Sequence, residues 1–166
     1  MTASANTSKL TAELKQEFTR YFRHLASRVE RAVRSLPREK LWVKPFSFGN
    51  SVGHLVLHLT GNLKHYVGAG MAGSSYVRDR AREFTDPTQY PPEEILKQFH
   101  EAVEMVVRTI DALDEQGLLA PAPDQSPIQT RFGLLMVCAA HLNNHIGQMS
   151  YLLQAQGHST QEPPIW

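Results

Sequence analysis

The chain has 166 residues, 42% of them hydrophobic and 20% charged, and a formal net charge of +1. That length suits one domain, able to bury roughly 70% of the surface its unfolded form exposes. The composition argues against wholesale disorder, and near-neutrality offers no electrostatic case for nucleic acid or an acidic membrane surface. The one cysteine, Cys138, rules out an internal disulfide and fits a reducing compartment. The polar start from Met1 to Lys9 lacks a charged-then-apolar signal pattern, and no apolar run approaches the ~20 residues of a membrane span. The expectation is a cytoplasmic protein with one domain over residues 1–166 and no membrane partner.

In chain order, the first predicted element is an amphipathic helix from about Ser8 to Ser35. Leu10, Leu14, Phe18, Tyr21, Leu25, Val29, Ala32 and Leu36 recur at steps of three and four, with Lys, Arg and Glu between them. Pro37 ends it, and Pro45, Ser47, Gly49 and Asn50 supply turn chemistry to the loop that follows. A second helix starts near Asn50 or Ser51, either of which can cap it, and runs to about Ala69, where Gly68, Gly70 and Gly73 break it. Residues 73–90 are polar and read as a long loop of the kind that forms lids or walls of sites. The third helix opens with Pro92, Glu93 and Glu94. Its stripe is Ile95, Phe99, Val103, Val106, Ile110 and Leu113, with Gly117 as its C-cap. A Pro-rich connector, Leu118 to Pro127, leads to a fourth helix from about Arg131 to Gln156 with Gly157 beyond it, and the Pro163-Pro164 tail reads as extended. Four such helices and no convincing strand predict an all-α four-helix bundle, whose topology the order of elements does not fix.

Charge separates the helices. The first and third are studded with Lys, Arg, Asp and Glu, whereas the second carries only Lys64 and the fourth only Arg131. Those two helices hold five of the eight histidines, namely His54, His58, His65, His141 and His145. On a wheel of about 100° per residue, Leu135, Cys138, Leu142, Met149 and Leu153 share one face of the fourth helix. His145 falls within that face and His141 on its edge, four residues apart, so both imidazoles point the same way. With no acid on their own helix, a metal ion would satisfy their lone pairs; hydrogen bonding to backbone carbonyls in the core is the alternative. A third ligand from the second helix is best supplied by His58, which flanks the stripe Val52, Leu55, Val56, Leu59 and Leu63, with His54 the nearest competitor. His24, His100 and His158 lack such company and read as solvated; Cys138, one turn before His141, reads as a small core residue.

The run His141-Leu142-Asn143-Asn144-His145-Ile146-Gly147-Gln148 resembles the H-x-x-x-H-x-G-Q signature of the DinB-like (YfiT-like) metalloproteins. The run from Ser51 to Asn62, with its His58-Leu59, resembles their second landmark, and Leu41-Trp42-Val43-Lys44-Pro45 resembles their entry segment. The likeness spans most of the chain, from the first helix to Gln154. It implies an up-down-down-up bundle, commonly a homodimer, with a metal at one end held by His58, His141 and His145. Members with a known activity are thiol-dependent transferases and isomerases that use low-molecular-weight thiols such as bacillithiol or mycothiol; this chain resembles a branch without an assigned reaction.

Three neutral imidazoles leave a divalent charge uncompensated and a coordination position open, the pattern of catalytic sites. Zinc or nickel come first among the metals that suit such ligands, with iron or copper also compatible. Gln148 and Asn144 are candidates to hold the outer nitrogens of the ligating rings. The functional expectation is a metal-dependent thiol S-transferase acting on small electrophiles, with no catalytic residue singled out. A non-catalytic metal- or ligand-binding bundle and a metal-dependent hydrolase are the alternatives.

Overall fold

The computed structural model describes residues 2–123 and 127–160, with side chains from Lys9 onward. Four long helices form the bundle: α1 (Thr2–Arg34), α2 (Val52–Leu63), α4 (Pro92–Ala112) and α6 (Arg131–Ala155). Two short ones, α3 (Arg82–Thr85) and α5 (Glu115–Leu119), lie in the connections. Among the described residues there is no strand, only an isolated bridge between Pro121 and Thr130.

The helix ends follow local chemistry. The Ser51 hydroxyl accepts the His54 backbone N–H at 3.1 Å, and the Thr130 hydroxyl accepts that of Gly133, also at 3.1 Å. Pro92 opens α4 with Glu93 and Glu94 in its first turn. Gly157 takes φ +77° just past α6, a left-handed conformation that favours glycine. Beyond Leu63, α2 continues as a wider π-helical turn, Lys64–Ala69.

Packing order is α1–α4–α2–α6 and back to α1, so α1 and α2 face each other across the core. Cross-contacts give the directions. Lys15 Nζ reaches the Asp111 carbonyl at 2.9 Å, and Arg23 pairs with Glu104 and His100 with Glu30, so α1 and α4 are antiparallel. Phe18 meets Phe132, and Arg28 donates to Asn143, so α1 and α6 run parallel. Trp42, which packs on Gly53, donates to the Tyr90 carbonyl, while Gly68 lies by Met105, so α2 and α4 are parallel too. The topology is up-down-down-up. Because α2 and α4 are parallel neighbours, the chain must travel back along the bundle between them. Residues 70–91 make that return as a strap laid over α2.

The core is continuous. Phe22, Leu25, Leu55, Leu59, Leu63, Ile95, Phe99, Ile110, Leu135 and Leu142 are fully buried, each contributing roughly 1.5–3 kcal/mol of transfer free energy. On α1 the stripe is shifted from the one the spacing predicts. Phe22 is buried, whereas Tyr21 and Leu10 are 39% and 60% exposed, because the helix turns its 22, 25, 29 and 33 positions into the angle between α4 and α6. Gly117 does not cap α4. That helix stops at Ala112, Leu113 is extended, and Asp114 caps α5 by accepting the Gly117 N–H at 2.7 Å. The Pro163-Pro164 tail lies outside the described residues.

Candidate metal centre

His58 sits in the second turn of α2, and His141 and His145 at mid-length of α6, so the three rings meet on the seam between these antiparallel helices, level with the first turn of α4 and the last turns of α1. His58 is 4% exposed; His141 and His145 are half-buried on the shoulder of the apolar face. Ring centroids are 5.1 Å apart for His58–His141, 4.9 Å for His58–His145 and 4.4 Å for His141–His145. One nitrogen from each ring lies within 4.8 Å of the others, and the Nε2 atoms of His58 and His141 are 2.9 Å apart. Ligand nitrogens around a tetrahedral ion stand about 3.3 Å apart for bonds of about 2.0–2.1 Å. The triad therefore needs only small ring movements to hold one.

The outer nitrogens are fastened. His58 Nδ1 lies 2.8 Å from Glu83 Oε2 on the strap, and His145 Nδ1 lies 2.8 Å from Gln148 Oε1. Each acceptor takes the Nδ1 proton, which leaves Nε2 with its lone pair, the arrangement that orients ligating imidazoles. Glu83 is itself 7% exposed and held by Arg78, whose Nε and Nη2 donate to its two oxygens at 2.7 and 2.9 Å. Arg78 Nη2 also approaches His58 Nδ1 at 3.2 Å, but both are donors and both bond to the carboxylate. Gly61 makes this docking possible, since a Cβ there would collide with the Glu83 carboxylate. Phe84, next on the strap, lays its ring 4.8 Å from that of His58.

Burial holds all three imidazoles below the usual histidine range, so they stay neutral and able to ligate. For His58, Glu83 works against that trend without reversing it. His141 is lowered most, from 6.5 to about 4, by burial and then by the neighbouring positive charges. The unfolded chain takes up this proton near pH 6.5 and the folded, metal-free chain only near pH 4. The metal-free protein should therefore lose stability as pH falls across that window. Melting temperatures should drop less steeply there in His141→Gln than in the natural sequence, and equal slopes would contradict the assignment.

The other histidines lie elsewhere. His54 is buried, with Nδ1 2.6 Å from Ser51 Oγ and its ring edge-on to Trp42; it belongs to the start of α2. His65 stands on the π-helical turn beside Tyr66. His24, His100 and His158 are half-buried, not fully solvated as the sequence suggests, and His100 pairs with Glu30. Cys138 is 1% exposed, and burial pushes its thiol up to about 12, as suits a core residue. Of the two expected partners for the rings, Gln148 bonds to His145. Asn144 instead lines an adjoining cavity of about 580 Å³ with Leu55, Gln148 and Tyr151. Glu83 and Arg78 were not anticipated from the sequence, where they sit in a polar loop among other charges.

The family described as a protein of unknown function (DUF1572) matches residues 9–160, nearly the whole helical chain. The chain belongs to this family. No curated protein matches it. Among solved structures, the crystal structure of a conserved protein from Enterococcus faecalis is similar, at 15% identity and a TM-score of 0.61. The likeness covers 84% of this chain and 95% of that one, and it extends the DUF1572 assignment only to a shared all-helical fold. No helix among the described residues is long and apolar enough to cross a membrane.

Proposed function

We propose that this DUF1572 protein is a DinB-like metal-dependent enzyme, a thiol S-transferase acting on small electrophiles, with His58, His141 and His145 as ligands of a divalent ion. The observation that carries the reading is the convergence of three neutral imidazoles, two with their Nδ1 protons already fixed, from helices that contain no carboxylate. Such a set suits zinc or nickel first, then iron or copper. It leaves room for an exogenous ligand, as catalytic sites do. A divalent ion, when bound, favours the thiolate form of a thiol at neutral pH. The chain's own part is orientation and shelter. Glu83 and Gln148 hold the rings, Phe84 and the strap wall one side, and the cavity between Leu55 and Tyr151 offers space beside Gln148 for an electrophile.

The test is cobalt-substituted protein titrated with a low-molecular-weight thiol. Sulfur coordination should add a strong charge-transfer band that histidine and water cannot give, and binding should strengthen as pH rises toward the free thiol's pKa. A Cys138→Ser protein must show the same band, which excludes the internal sulfur. No band at millimolar thiol, with metal bound and protein folded, would remove the transferase reading and leave a hydrolase or a plain binding bundle.

The outer face of α6 supports a homodimer. Met136, Val137 and Tyr151 are 51%, 44% and 74% exposed there, beside Ala140, Asn144 and Gly147, with no charged residue among them. Light scattering should return about twice the 18.7 kDa chain mass, and a monomer across a wide concentration range would refute it.

A further inference from the structure

Three arginines stand on the strap, and only one lacks a partner. Arg78 is committed to Glu83, and Arg82 Nε reaches Asp86 Oδ2 at 3.3 Å. Arg80 is exposed, and among the described residues it has neither a hydrogen bond nor an ion pair. Its guanidinium lies 5.6 Å above the Phe84 ring, and that ring is 4.8 Å from His58, so Phe84 is the spacer between a free cation and the triad.

Few carboxylates are aimed at the rings. Helices α2 and α6 have none, Glu83 is shared by Arg78 and His58, and Asp79, which keeps its charge, is exposed and turned to the Arg82 backbone N–H, which its Oδ1 accepts at 3.0 Å. With a divalent ion among three neutral rings, the open side would carry positive charge on both the ion and Arg80, and no carboxylate is hydrogen-bonded or ion-paired to Arg80 among the described residues. We infer that the site's natural ligand is a small organic anion that presents one donor atom to the metal position and a separate carboxylate or phosphate to Arg80. This rests on the metal-centre reading and adds the ligand's charge to it. Arg80 is a specificity residue here, not a ligand holder or a support of the fold; a planar guanidinium backed by an aromatic ring presents its fork to a carboxylate with little freedom to lose.

The test uses two thiols of similar size, 3-mercaptopropionate and 2-mercaptoethanol, titrated into cobalt-loaded protein. The proteins compared are the natural sequence, Arg80→Gln, and Arg38→Gln as a control remote on the chain. The natural sequence and the control should bind the carboxylate thiol about ten-fold more tightly or better, the range of a charge-assisted hydrogen bond. In Arg80→Gln that preference should shrink to what direct contact of the carboxylate with the metal leaves, while melting temperature and affinity for 2-mercaptoethanol change little. If both thiols bind and their ratio is the same with and without Arg80, the charge proposal is overturned and the metal-centre reading stands. If neither thiol alters the spectrum of the cobalt-loaded protein, the anion proposal and the thiol-transferase reading fall together, and the metal centre alone remains.

Discussion

Alanine in place of any one of His58, His141 or His145 is expected to weaken divalent-ion binding by more than about 100-fold, beyond what loss of an outer hydrogen-bonding partner does. The two remaining nitrogens would face an ion with half its coordination left to water. His54→Ala is the informative comparison, because His54 lies one turn away on the same helix and is also buried. Its Nδ1 is engaged with Ser51 and its ring with Trp42, so the loss should lower the melting temperature and leave metal affinity near normal. Competition with a chromogenic chelator reads this directly. Retention of metal by His58→Ala together with its loss in His54→Ala would show that the wrong histidine of α2 has been assigned.

The second large effect is expected at Glu83, where two roles can be pulled apart. Glu83→Ala strands the Arg78 guanidinium, whose side chain is 9% exposed, and should cost about 3–5 kcal/mol of stability, the usual penalty for a buried charge left without its partner. It should also free the His58 ring and reduce metal affinity about 10- to 100-fold. Glu83→Gln keeps an oxygen able to accept the His58 Nδ1 proton but not the charge. It should recover much of the metal affinity and little of the stability. Gly61→Ala should mimic Glu83→Ala by pushing the carboxylate away from α2. Chemical denaturation and metal titration of the three variants suffice, and a Glu83→Gln protein whose metal affinity stays as low as that of Glu83→Ala would mean that charge, not ring orientation, governs the metal.

The two histidine-bearing helices were legible in the sequence because burial and chemistry coincide on them. The apolar face of α6 comes out as the wheel places it, with Leu135, Cys138, Leu142, Met149 and Leu153 all buried. The spacing of His141 and His145 puts both rings on its shoulder, and Gln148, three residues on, reaches back to the second. Choosing His58 over His54 was narrower, and the structure separates them through Ser51, which draws His54 into the helix cap. What periodicity could not reveal was direction. Only the parallel course of α2 and α4 makes the chain double back, and only that return lays Glu83 and Arg78 against His58. The π-helical turn after Leu63 likewise leaves no trace in composition, since it changes hydrogen-bond spacing without needing different side chains.

The doubling back divides the labour of the molecule between stretches of chain that can change at different rates. The bundle and its histidines come from helices whose residues are pinned by packing, so most substitutions there would be felt in the fold. Arg80 and its neighbours on the strap contribute little to that packing, yet they border the same centre. Sequence drift or recombination within residues 79–81, past the buried Arg78, could therefore redirect which molecules the centre admits while leaving the helices that build it untouched. Transplanting that segment between members of one family would be a direct way to exchange their preferences.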